Sequence, residues 1–143
     1  MPLDLTALSL DFHTLRSAYA AGTLTPSALV QEVYRRLHAR GEDHVWRHVV
    51  PLEHALRQAR ALEQRRLRGE VLPLYGLPYG VKDNIDVAGL PTTAGCAAFA
   101  YTAERSADVV TRLDAAGALF IGKQNLDQFA TGLVGIRNID GFC

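Results

Sequence analysis

The 143-residue chain is short of cysteine, has no surplus of either charge and holds no long apolar run, and each absence excludes a class of protein. Its two cysteines, Cys96 and Cys143, lie far apart with no CxxC pair or Cys/His ladder, so neither a disulfide framework nor a zinc site is indicated. That usage agrees with a reduced compartment. Lysine plus arginine equals aspartate plus glutamate at 15 each, so no overall basic field draws the chain to nucleic acid or an anionic membrane. A small neutral partner fits better. No stretch approaches the roughly 20 apolar residues that span a bilayer, and Met1-Pro-Leu-Asp lacks the charged and apolar regions of a signal peptide. A cytoplasmic location is expected.

What is present suits one ordinary domain: 48% of the residues are hydrophobic, enough at this length for a cooperative core. The first half reads as helical. Asp11 caps a short helix through Leu15 and Tyr19 that stops at Gly22, and Thr25-Pro26 starts a second with Leu29, Val30, Val33, Tyr34 and Leu37 in helical register up to Gly41. Val45 to Val50 is β-branched enough for a strand. Pro51 opens a third helix with Leu52, Ala55, Leu56, Ala59 and Leu62 on one face and Gly69 at its end. Its other faces carry Arg57, Arg60, Arg65, Arg66 and Arg68. Interspersed glutamates and the lack of interleaved aromatics favour a solvated face over a nucleic-acid patch.

From Val71 the composition shifts to glycine, proline and short apolar runs. Leu77 to Lys82 reads as a buried strand, Ser106 caps a helix holding Val109, Val110 and Leu113, Gly117 ends it, and Ala118 to Ile121 is the next strand. That order implies a right-handed parallel βαβ unit, with a further short helix from about Asn125 to Thr131. The fold class is α/β: a helical part, residues 1–70, followed by a βαβ part, residues 71–143. The shift near residue 70 is not read as a domain boundary.

Gly117 to Lys123 has P-loop spacing, but Gln124 stands where magnesium needs Ser or Thr, and the intervening residues are an apolar strand. His44 and His48 are four apart in a β-branched setting without a third ligand, so surface histidines are favoured over a metal pair. His13, His38 and His54 sit in helical segments and need no special role. Asp83 and Asp86 fit turn chemistry better than a catalytic carboxylate pair. Lys82 differs, because it ends an apolar strand before a polar turn, at the carboxyl edge where α/β sheets place ligands. If partly desolvated there, it could take a proton from a serine hydroxyl; a surface or ion-paired lysine is the plainer alternative.

The segment Gly76-Leu-Pro-Tyr-Gly-Val-Lys-Asp-Asn-Ile-Asp-Val-Ala-Gly-Leu-Pro-Thr-Thr-Ala-Gly95 resembles the first signature block of amidase-signature enzymes. Ala116-Gly-Ala-Leu-Phe-Ile-Gly-Lys-Gln-Asn-Leu-Asp-Gln-Phe-Ala-Thr-Gly-Leu-Val-Gly135 resembles the second. Ala97-Ala-Phe-Ala-Tyr-Thr and the run from Asp127 to Gly135 are similar to allophanate hydrolases rather than to glutamyl-tRNA amidotransferase subunits. The resemblance is strong from residue 74 to 137 and weak before 70.

It implies a large mixed sheet covered by helices, of which this chain supplies a fragment, and a Ser, cis-Ser, Lys triad in which Lys82 matches the basic lysine. It also implies that Gly132 lies beside a small amide substrate, that allophanate is that substrate, and that no metal or organic cofactor is needed. Both serines belong to a Gly/Ser-rich block that this sequence does not contain, since Ser9, Ser17, Ser27 and Ser106 have no glycine-rich context. The family continues after Gly135 with a Thr-Arg-Ser-Pro-Tyr-Gly-like stretch, whereas this sequence reads Ile136 to Cys143. The expectation is a partial amidase domain, inactive alone. A second reading is a noncatalytic remnant or interaction module that forms a homo-oligomer or complements a partner chain to cover its open sheet edge. A third, a nucleotide-binding βαβ protein, rests on the failed P-loop.

Overall fold

Local capping chemistry sets the helices where the sequence pattern places them. In the computed structural model, which describes residues 4–138 and residue 140, α1 spans Phe12–Ala20 with the Asp11 carboxylate accepting the Thr14 amide. Helix α2 spans Pro26–Arg40, with the Thr25 hydroxyl accepting the Ala28 amide and Pro26 in the first turn. Helix α3 spans Leu52–Leu67 behind Pro51. Gly22, Gly41 and Gly69 follow these helices at positive φ. His13, His38 and His54 lie on the three helices, and Arg57, Arg60, Arg66 and Arg68 are exposed, a solvated face. Met1, Cys143 and the readings that touch them lie outside the described residues.

The chain divides into two compact units that interleave along the sequence. The first holds the described residues up to Gly41, with Pro51–Pro78 and Ala115–Leu119. Its core is the packing of α2 on α3: Leu29, Val30, Ala55 and Ala59 are almost fully buried, and the two alanines let the helix backbones come close. Leu15 and Tyr19 of α1 join this core, and the Tyr19 hydroxyl donates to the Gly76 carbonyl at 2.9 Å. Glu32 is buried between Arg35 and Arg36, both at 2.7 Å, and Arg36 also donates to the carbonyls of Leu5 and Leu8.

The second unit, Glu42–Val50, Tyr79–Asp114 and the chain from Phe120 onward, holds the sheets. Strand β1 is Trp46–Val49, β2 is Pro78–Lys82 and β5 is Leu119–Gln124, ordered β1-β5-β2. Pro78 and Leu119 belong to the first unit. Strand β1 runs antiparallel to β5, His48 opposite Lys123 and Val49 opposite Gly122, with an irregularity between Trp46 and His48. The Leu119 amide bonds to the Leu77 carbonyl and the Asp83 amide to the Gln124 carbonyl, an ascending order in both strands that makes β2 and β5 parallel. The sheet is therefore mixed. Between β2 and β5 come the two-residue antiparallel pair β3, Pro91–Thr92, and β4, Tyr101–Thr102, and helix α4, Asp108–Ala115.

Central β5 is buried from Leu119 through Lys123, which explains its apolar run. Gly122 is required there, because a Cβ would overlap the His48 carbonyl of the neighbouring strand.

Three local expectations change, in β2, at Ser106 and after β5. Only Val81 of β2 is buried, its other residues being half-buried or, at Lys82, exposed, because β2 is an outer strand. The Ser106 hydroxyl accepts the Ala88 amide instead of capping α4, which starts two residues later. Val109 faces solvent while Val110 fills the core. The segment after β5 forms a single 3-10 turn, Gln128–Ala130, where Phe129 takes positive φ and breaks helical continuity.

Candidate active site

The β2–β3 connection is built around a charge that the sequence reading assigned to a turn. Asp83 is 1% exposed and Lys123 fully buried, and Lys123 Nζ lies 3.0 Å from Asp83 Oδ1. The remaining Nζ protons go to the Pro91 carbonyl at 2.6 Å and the Thr92 hydroxyl at 2.8 Å. Asp83 Oδ2 accepts the Thr93 amide and hydroxyl, and the Asp83 carbonyl accepts the amides of Thr93 and Ala94. Arg47 Nε stands 4.0 Å from Oδ2. A buried pair is tolerable only when its spare donors and acceptors are filled, as they are here.

Thr92 links this pair to a second carboxylate. Its hydroxyl donates to Asp86 Oδ1, which also accepts the Tyr101 phenol, and that bond raises the Tyr101 pKa above the usual tyrosine range. Asp83 and Asp86 thus serve neither as a catalytic pair nor as simple Asx turns. Each ties the β2–β3 loop to a different element.

Lys82 and Lys123 are the only lysines in the sequence. Lys82 ends β2 and points to solvent, and among the described residues its ammonium has no hydrogen-bonded or ion-paired partner. The plainer reading, a surface lysine, is the one found, and the desolvated alternative is not, since the end of an outer strand leaves the side chain in water. Lys123, set aside with the failed P-loop, is the desolvated one. The available signal was a lysine near the end of a strand too apolar to be anything but central, beside a parallel neighbour followed by aspartate.

Gly132 lies against Asp127, where a Cβ would come within 2.6 Å of the Asp127 Cγ. That carboxylate is buried and accepts the amides of Arg137, Val134 and Gly135, bonds that hold its pKa below the usual range. Gly132 is thus placed by a carboxylate-centred turn, and 132–137 is folded around Asp127. His48 sits in β1 with its Nε2 enclosed, and His44 precedes it at positive φ. Cys96 is a free, half-buried thiol. No helix among the described residues is long and apolar enough to cross a membrane.

Comparison with known proteins assigns this architecture. The Amidase family model matches residues 28–142. Urea amidolyase from Saccharomyces cerevisiae is 46% identical over 129 residues, which is 90% of this chain and 7% of that protein. Among solved structures, the allophanate hydrolase of Kluyveromyces lactis superposes with a TM-score of 0.76 at 40% identity, covering 96% of this chain and 22% of that one. The peptide amidase of Stenotrophomonas maltophilia gives 0.78 at 30% identity, covering 89% and 27%. The chain spans a small part of each of these proteins. With both signature blocks on strands β2 and β5 and the family matched over most of the sequence, the chain belongs to the amidase family, as an amidase region like that of urea amidolyase and allophanate hydrolase.

Proposed function

We propose that this chain is the lysine-bearing part of an amidase domain that hydrolyses allophanate, the carboxylated urea, to ammonia and carbon dioxide. Lys82 is the base of a Ser, cis-Ser, Lys triad, and Gly132 lines the space for the substrate amide. The serines are supplied by a Gly/Ser-rich segment outside these 143 residues, so the chain is inactive by itself. The observation that carries this reading is the position of Lys82 at the carboxyl end of β2, within the first signature block, in a chain 46% identical to a urea amidolyase. A base must reach the hydroxyl it deprotonates, and a free amine at the sheet's ligand-binding edge is able to do so.

The test is ammonia release from allophanate and from simple aliphatic amides, by the purified chain alone and mixed with a polypeptide carrying an amidase serine block. No turnover alone, and turnover in the mixture that Lys82→Ala abolishes, would support the reading. Turnover by the chain alone, or turnover in the mixture indifferent to Lys82→Ala, would sink it.

A second reading, an interaction module that self-associates or complements a partner, has one observation in its favour. Phe99 and Phe129 stack edge to face at 5.5 Å and are half-exposed, and Leu133, Val134 and Ile136 are exposed in the same unit. Apolar side chains of that number on one compact unit favour association. Light scattering at a monomer mass, across micromolar concentrations, would count against it.

A further inference from the structure

Lys82 and Asp83 are consecutive, one a free cation and the other a carboxylate, yet they are not paired with each other. Their side chains have different surroundings: Lys82, the last residue of β2, is exposed, and Asp83, the first residue of the turn after it, is 1% exposed. Both oxygens of Asp83 are already in use, Oδ1 by Lys123 and Oδ2 by Thr93. The Lys123 ammonium in turn is held by the Pro91 carbonyl and the Thr92 hydroxyl, so the pair is locked from the β3 side. Arg47 approaches Oδ2 but is itself paired with Asp140. Among the described residues, the cation in hydrogen-bond contact with Asp83 is therefore Lys123.

We propose that Lys123 is a positioning residue for Lys82: it binds the Asp83 carboxylate in a buried ion pair and so withholds that adjacent charge from the Lys82 amine. The inference builds on the reading of Lys82 as the base. An amine paired to a carboxylate keeps its proton, and only the neutral form can accept one. With Asp83 held by Lys123, the net charge beside Lys82 is close to zero and the amine remains available. Removing Lys123 leaves a negative charge one residue away; removing the Asp83 charge leaves a positive one. The two losses therefore act on Lys82 in opposite directions, which a simple loss of packing does not.

Because the chain has only two lysines, trace acetylation at fixed pH with peptide mass spectrometry reads each amine separately. In the native wild-type chain, Lys82 should label at least as fast as in the urea-unfolded chain while Lys123 is protected. Lys123→Met should slow Lys82 labelling by about threefold to tenfold, the effect of one nearby uncompensated charge. Asp83→Asn should quicken it, and the double variant should restore the wild-type rate. An unchanged Lys82 rate in folded single variants, or changes of the same sign in both, would overturn the proposal. Should neither single variant fold, the wild-type chain decides, because native protection of Lys82 would mean that a carboxylate already holds it. Ammonia release is not read in this experiment, so loss of the assigned base role and loss of the Lys123 role are told apart.

Discussion

Lys123 Nζ lies 3.0 Å from Asp83 Oδ1 with neither side chain in contact with water, joining the carboxyl ends of β5 and β2 inside the second unit. Breaking such a pair strands a charge, while replacing both partners removes the desolvation cost along with the attraction. Lys123→Met alone is expected to cost about 3–5 kcal/mol in urea denaturation, and Asp83→Asn combined with it to recover most of that loss. Additive costs would show that the two side chains do not act as a pair.

Lys82 presents the opposite case. Exposed at the end of an outer strand and without a partner among the described residues, it contributes to no contact that folding requires. Lys82→Ala should shift stability by no more than about 0.5 kcal/mol, the usual range for such surface positions. A larger loss would place the amine in a structural role.

Gly132 and Asp127 are in contact through the missing Cβ. Gly132→Ala should push the Asp127 carboxylate off the amides of Val134, Gly135 and Arg137, costing about 1–3 kcal/mol as overpacking does. Hydrogen exchange checks this directly: those three amides should exchange faster while the α2 and α3 amides stay protected.

Acid should act on the first unit through Glu32. Hydrogen bonds from Arg35 and then Arg36 lower its pKa to about 2 from the ordinary glutamate value of 4.5. A carboxylate depressed on folding stabilises the folded state above its unfolded pKa and loses that contribution as the pH falls through the folded value. The Glu32 share should thus be complete above about 5, fade between about 4.5 and 2, and be absent in Glu32→Gln, whose acid-unfolding curve should be flatter in that window. Identical acid limbs for the two proteins would reject this assignment.

Tyr34 gives a second, alkaline check. Burial pushes its phenol up to about 12, so ultraviolet titration of the native chain should show it ionising well after an exposed tyrosine, and together with the others once the chain is unfolded.

The sequence alone determined the elements whose cause is local. Asp11, Thr25 and Pro26 start helices through their own side chains, Gly22, Gly41 and Gly69 follow them at positive φ, and the run before Lys123 is apolar because central β5 touches protein on every side. Two signature blocks marked the family by their order and length, and the Amidase match over residues 28–142 agrees. Only the tertiary structure decided which charges meet. Lys82 and Lys123 each stand at or near the end of an apolar strand and look alike on the line of the sequence, but one strand is outer and the other central, so one amine is in water and the other is sealed against Asp83. Asp83 and Asp127 both lie in polar runs that read as turn or helix, and their buried roles follow from residues brought to them across 40 and 10 positions of chain. Burial depends on neighbours that periodicity does not name, and that is why the family and most helices were legible early and the electrostatics of the site were not.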